Sequence, residues 1–145
     1  IKRYPQIKPL TLLIKNLVKK NKLASVYDGG FSSHSIFIMV VAHLKALLAN
    51  INDLNLGDLL KSFLHFFGKT FNYTNTTIDL MNKNEPYIIT QEFSKVPIFI
   101  DPVSKINVAK SSFQHEEIKK LFSNTYDSLV KGVNDIAKTF EEIFS

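Results

Sequence analysis

Apolar residues at positions 10, 13, 14, 17 and 18 recur at intervals of one, three and four, which predicts an amphipathic helix over residues 9–20. Lys8, Lys15, Lys19 and Lys22 fall on its opposite face, since offsets of four and seven bring side chains into one row. Gly29 and Gly30 interrupt the pattern, and Ser32 is placed to cap a second helix running to about residue 50. That helix is apolar on most sides and is therefore expected at the centre of the fold. Asn55 with Asp58 three residues on predicts a third helix start, leading into Leu56, Leu59, Leu60, Phe63 and Phe67. From residue 72 to residue 110 the helical period lapses. Asn, Thr and Pro alternate there with β-rich runs, Tyr87–Thr90 and Val96–Ile100, which predicts loops and small strands. Ser111 or Ser112 then opens a long C-terminal helix, with Ile118, Leu121, Phe122, Tyr126, Leu129, Val133, Ile136, Phe140 and Ile143 on its apolar stripe and Gly132 as a point of kinking. The expectation is one mainly α domain over residues 1–145 with a small β and loop region. Residues 1–73 form its helical part, 74–112 the loops and short strands, and 113–145 the C-terminal helix.

A chain of 145 residues supports one real core, and an apolar fraction of 45% excludes a disordered tail. The absence of cysteine removes thiolate zinc sites, iron–sulfur clusters, disulfides and a Cys nucleophile together. The longest apolar run, Ile36–Ala49, is broken by His43 and Lys45 and is shorter than the roughly 20 residues of a membrane span, so no membrane partner is expected. No secretory h-region opens the chain, which points to an intracellular protein and makes the glycosylation-like tripeptides at Asn72 and Asn75 chance matches. Because the chain opens on Ile1 rather than Met, a longer protein is expected upstream. Of the formal charge of +5, residues 1–22 alone hold +7, from Lys2, Arg3, Lys8, Lys15, Lys19, Lys20 and Lys22. This is one local basic surface, suited to phosphate groups; a solvated helix face accounts for the same lysines.

Little else in the composition points to chemistry. His34, His43, His65 and His115 lack metal-ligand spacing, so no metal site is expected in the chain. The adjacent pairs Glu116–Glu117 and Glu141–Glu142 point to different helix faces and read as solvated. Neither a Walker loop nor a dinucleotide fingerprint occurs. Three segments stand out. Lys15 and Lys19 set two ammonium groups one turn apart. In Tyr27-Asp28-Gly29-Gly30-Phe31-Ser32-Ser33-His34, glycines permit a sharp turn into a helix N-terminus, whose N–H groups favour anions and to which Ser33 adds a hydroxyl. Together with the lysines this would cradle a triphosphate. In Ile100-Asp101-Pro102-Val103-Ser104-Lys105-Ile106-Asn107-Val108, a rigid loop carries an acid and an amide, although Asp101 before Pro102 equally suits a turn former.

These segments, with Leu10-Thr-Leu-Leu-Ile-Lys15, Asn55-Leu-Gly-Asp-Leu-Leu60 and Phe66-Phe-Gly-Lys-Thr-Phe-Asn-Tyr73, occur in an order that resembles the noncanonical poly(A) polymerases and terminal uridylyltransferases. The similarity covers their central and poly(A)-polymerase-associated region, from about Pro9 to Gly132, and leans toward the nuclear branch called DNA polymerase sigma or topoisomerase-related. It implies the helical central domain of the DNA polymerase β-like nucleotidyltransferases. It also implies that Lys15 and Lys19 bind the nucleotide triphosphate, Ser33 makes a further phosphate contact, His34 takes the place of an aromatic that stacks on the base, and Asp101 through Asn107 form the nucleotide-recognition motif.

The chain departs from the pattern in three places. His34 is smaller than the usual Tyr or Phe. The recognition loop is one residue shorter than in the uridylyltransferases, and Ile106 stands where His or Asn is common. The chain also lacks Gly-Ser followed by Asp-x-Asp, the palm-domain signature whose carboxylates hold two Mg²⁺ (or Mn²⁺). The resemblance therefore implies a nucleotide- and RNA-binding lobe of a nuclear (alternatively cytoplasmic) RNA 3′-nucleotidyltransferase, with the catalytic palm and its metals outside this chain. ATP is the expected nucleotide, UTP the alternative, and an RNA 3′ end and RNA-processing proteins the expected partners. A chain of this extent is expected to self-associate and to be inactive alone. A non-catalytic helical scaffold and an inactive activator are the competing readings.

Overall fold

Among the residues that the computed structural model describes, which are 6–25, 29–47, 55–82, 85–131 and 143–144, four α-helices and one small sheet share a single apolar core. The first helix, α1 (Ile7–Lys20), turns Ile7, Leu10, Ile14, Leu17 and Val18 inward, as the apolar spacing requires. It starts two residues before the predicted position, because Pro9 is tolerated in a first turn whose N–H groups have no helical partner. Ser32 caps α2 (Ser33–Ala46), its hydroxyl accepting from Ser35 N–H at 3.1 Å. As expected, α2 is central, with Ile36, Ile38, Met39, Val40, Ala42 and Leu44 all buried. Asn55 caps α3 (Leu56–His65), its side chain accepting from Asp58 N–H at 2.8 Å.

Beyond α3 the backbone widens into a π-helical turn, Phe66–Thr70, which the periodicity does not signal. It carries Gly68, where a Cβ would stand 2.5 Å from Ser123 N, so only glycine lets α4 (His115–Lys131) lie this close. Phe63, Phe67 and Phe122 interlock at this crossing, with ring centroids 4.7 and 5.6 Å apart. The start of α4 corrects the expected one. The Ser112 hydroxyl donates to Gly30 C=O at 3.1 Å and Gln114 N–H to Gly29 C=O at 2.9 Å, so residues 111–114 are held to the glycine turn instead of entering the helix. The expected stripe at Val133, Ile136 and Phe140 and the kink at Gly132 lie outside the described residues.

The sheet has the order β2-β1-β3, with β1 Thr76–Asp79, β2 Tyr87–Ile89 and β3 Ile98–Ile100. The two outer strands coincide with the β-rich runs, each shorter than predicted. The central strand, β1, was not singled out by sequence; it pairs antiparallel with β2 and parallel with β3. Phe99 of β3 is fully buried and packs edge-on against Phe31 at 5.7 Å, which ties the sheet to the start of α2.

Candidate functional site

The backbone at residues 29–33 determines where the site can form. Gly29 has φ of 81°, a left-handed conformation that favours glycine, and a Cβ on Gly30 would overlap the Leu23 carbonyl. The chain therefore passes directly under the end of α1 before entering α2, with Phe31 N–H donating to Leu23 C=O at 2.8 Å. This brings the first turn of α2 beside the polar side of α1. Leu12, Lys15, Asn16 and Lys19 of α1 line a cleft of about 300 Å³ together with Ala24, Phe31, Ser33 and Ile36. Lys19 and Ser33 are exposed, and Lys15 is half-buried. Neither lysine makes a salt bridge with a described acid, so the cleft, lined half by polar and half by apolar side chains, carries unneutralised positive charge.

A second group of residues stands at the same helix terminus. His34, half exposed, points its Nε2 at Asp101 Oδ2 across 4.0 Å, a distance that becomes an ion pair when the imidazole is protonated. Asp101 belongs to a tight hairpin between Ile100 and Asn107, which form an isolated antiparallel bridge. Its Oδ1 accepts from Val103 N–H at 3.1 Å and its Oδ2 from the Ser104 hydroxyl at 2.8 Å. Those two donors, and more weakly the nearby His34, hold the Asp101 carboxyl below its ordinary value of 3.8. Asp101 thus shapes its own turn, as the turn-former reading required, and also faces α2. Lys105 completes the turn with φ of 63°. Ile106 is 55% exposed at the tip, and Val103 is exposed beside it.

Asn107 is differently placed. Its amide oxygen accepts from Phe99 N–H and from Ala109 N–H, each at 2.9 Å, and its Nδ2 donates to Pro97 C=O at 2.9 Å. Only one of its four hydrogen-bonding valences is left for any ligand.

The seven site residues expected from sequence therefore fall into two adjoining groups. Lys15, Lys19 and Ser33 share the cleft, while His34, Asp101, Ile106 and Asn107 belong to the hairpin and the helix turn that faces it. Sequence reasoning missed Asn16, which lines the same cleft as the lysines. The spacing 12, 15, 16, 19 marks one helical row and was available to find it. Among the described residues, no group of three or more His, Cys, Asp or Glu is placed to hold a metal ion. No described helix is long and apolar enough to cross a membrane.

Comparison with known proteins gives the same neighbourhood from three directions. The family model described as Cid1 family poly A polymerase matches residues 55–96. The poly(A) RNA polymerase cid14 of Schizosaccharomyces pombe is 29% identical over 161 aligned residues, covering 97% of this chain and 22% of that protein. Poly(A) RNA polymerase protein 1 of Saccharomyces cerevisiae is 28% identical, covering 87% of this chain and 22% of its own length. Among solved structures, the polymerase core of TRAMP, a RNA surveillance complex, superposes with a TM-score of 0.78 at 24% identity, covering 96% of this chain and 48% of that one. The Cid1 poly(U) polymerase, solved with Mg and 3′-dATP bound, gives a TM-score of 0.72 at 18% identity, covering 97% and 56%. The chain spans about a fifth of the length of these curated relatives and about half of the solved chains it matches.

Proposed function

We propose that this chain, which belongs to the noncanonical poly(A) polymerase family, is the nucleotide- and RNA-facing lobe of a template-independent RNA 3′-nucleotidyltransferase that prefers ATP. One observation carries the reading: Lys15, Lys19 and Ser33 line a single cleft at the N-terminus of α2. Such a terminus presents unpaired N–H groups and the positive end of the helix dipole, and the flanking ammonium groups add full charges. A triphosphate bound there leaves its base toward His34 and the 101–107 hairpin. With no template strand, the base must be held by stacking and direct hydrogen bonds. His34 offers the stacking face and Asp101 an acceptor. Ile106 offers neither donor nor acceptor, so selection is relaxed and nothing at the tip rewards uracil.

The role proposed for this chain is to bind and orient the nucleotide; among the described residues no cluster of side chains could supply the acids of metal-assisted transfer. Those acids, with Mg²⁺ or Mn²⁺, belong to other parts of the protein, and the isolated 145-residue chain should not extend a primer. Its exposed Leu12, Phe37, Ile89, Phe93 and Phe113 should drive self-association in light scattering. The preference for ATP is supported by curated relatives that are poly(A) RNA polymerases. UTP is the second reading, because fold neighbours include a cytoplasmic RNA terminal U-transferase. Protein partners are proposed because similar folds occur in TRAMP and in a GLD-2/RNP-8 complex. Primer extension by the full-length protein with ATP and UTP in competition tests the reading. Adenylate tails are expected, and Ile106→His should shift incorporation toward uridine. A dominant preference for UTP would contradict it.

A further inference from the structure

Asn107 stands in the expected recognition motif, yet nearly all of its hydrogen-bonding capacity is turned inward. The carboxamide bridges three backbone segments: Pro97 ahead of β3, Phe99 within it, and Ala109 after the hairpin. Val108 N–H donates to Phe99 C=O at 2.9 Å between these contacts, so the hairpin's two limbs are joined at successive residues. The returning limb is then fastened to α2. Ser35, fully buried, donates its hydroxyl to Val108 C=O at 3.3 Å and accepts from the Ser32 hydroxyl at 3.1 Å. A polar chain thus runs from the helix cap beside the lysine cleft, through Ser35 and Val108, to Asn107 and β3.

We infer that Asn107 is a positioning residue and not a reader of the base: its carboxamide fixes the Asp101–Ile106 hairpin at the height above α2 where a nucleotide held in the lysine cleft meets it. The inference rests on the nucleotide-binding reading above. A reader of the base needs a free donor–acceptor edge, and Asn107 has one N–H left. A clamp needs several bonds of good length to separate segments, and it has three at 2.9 Å. Loss of the clamp lets the hairpin drift from the base whatever the base is, so every nucleotide suffers alike. Loss of a reader would change which nucleotide wins.

The test uses the full-length protein, an RNA primer, and steady-state kinetics with ATP and with UTP. Asn107→Ala is expected to raise KM for both nucleotides about tenfold with kcat largely retained, leaving the ATP-to-UTP ratio of kcat/KM within about twofold. Inhibition by inorganic tripolyphosphate should be unchanged, since the phosphates sit on Lys15 and Lys19. If Asn107→Ala does not fold, Asn107→Asp serves in its place. A carboxylate still accepts from Phe99 and Ala109 but cannot donate to Pro97, so a smaller rise in both KM values with the same ratio is expected. A reader would instead have its donor edge inverted, and the ratio would move strongly. An altered ratio in either variant, a fall in kcat alone, or unchanged kinetics would each overturn the assignment. Lys15→Ala with Lys19→Ala in the same assay separates the two levels. If that variant keeps its KM, the nucleotide site itself is misplaced; if it loses nucleotide while the Asn107 variants fail their prediction, only the present inference falls.

Discussion

The cleft between α1 and α2 and the hairpin opposite it meet at one place but hold their shapes by different means. The cleft is a by-product of apolar packing. Leu10, Ile14, Leu17 and Val18 press α1 onto α2, and the lysines are left on the outside because the inside is taken. The hairpin has almost no apolar core of its own: Val103 and Ile106 are exposed, and its turn is made by the Asp101 carboxylate, the Ser104 hydroxyl and the Asn107 amide. Apolar packing is tolerant and non-directional, so a cleft built from it keeps its form when one surface residue changes. Directional hydrogen bonds are not tolerant, so the hairpin's position depends on a few side chains.

The change expected to be largest removes what the two regions share. Phe99 packs on Phe31 and Phe71 at the junction of sheet and helix, and Phe99→Ala should cost roughly 3–5 kcal/mol, measured by denaturant unfolding. A loss below about 1 kcal/mol would mean that sheet and helices are not one cooperative core.

The helical side has its own pH signature. His43 is buried on α2, its Nε2 2.9 Å from Ser62 Oγ on α3, and burial lowers its pKa from 6.5 to about 4. Between those values the unfolded chain binds the proton and the folded one does not. Stability is therefore complete above pH 6.5 and declines as pH falls toward 4, by on the order of 3 kcal/mol. Denaturation midpoints taken across this range should slope in the native protein and flatten in His43→Gln. The hairpin responds lower down. The depressed carboxyl of Asp101 contributes above its ordinary value of 3.8 and is lost only as pH falls through and below that point. Hydrogen exchange followed by region should show the helices loosening first.

A narrower effect is expected at Gly68. A Cβ there meets the Ser123 and Phe122 backbone of α4, so Gly68→Ala should destabilise by about 1–3 kcal/mol without touching the cleft. The smallest sharpens the polar side. Ser35→Ala removes the bond to Val108, costing about 0.5–1.5 kcal/mol, and should increase exchange at the hairpin amides more than at those of α1.

The same contrast explains what was legible in the sequence. Helices α1, α2 and α3 announce themselves through apolar spacing and through the caps Ser32 and Asn55, because burial and capping are local and periodic. The central strand β1 reads as a polar Asn and Thr stretch and becomes a strand only because β2 and β3 flank it, a partnership no local window contains. The π-helical turn at Phe66–Thr70 exists to seat Gly68 against α4, which is likewise a tertiary fact. At the site, Lys15, Lys19 and Ser33 could be brought together on paper because the glycine turn leaves the chain few routes from α1 to α2. The inward commitment of Asn107 could not be seen, since a carboxamide's partners depend on β3 lying beside it.

The central claim is that the cleft on α1 and α2 holds the nucleotide triphosphate, and nucleotide affinity of the full-length protein tests it most directly. Charge-assisted contacts to phosphate contribute roughly 1.5–3 kcal/mol each, so Lys15→Ala with Lys19→Ala should weaken ATP binding by well over tenfold. Both side chains lie off the apolar stripe, so the unfolding midpoint should barely move. An unchanged affinity in a folded double variant would contradict the account.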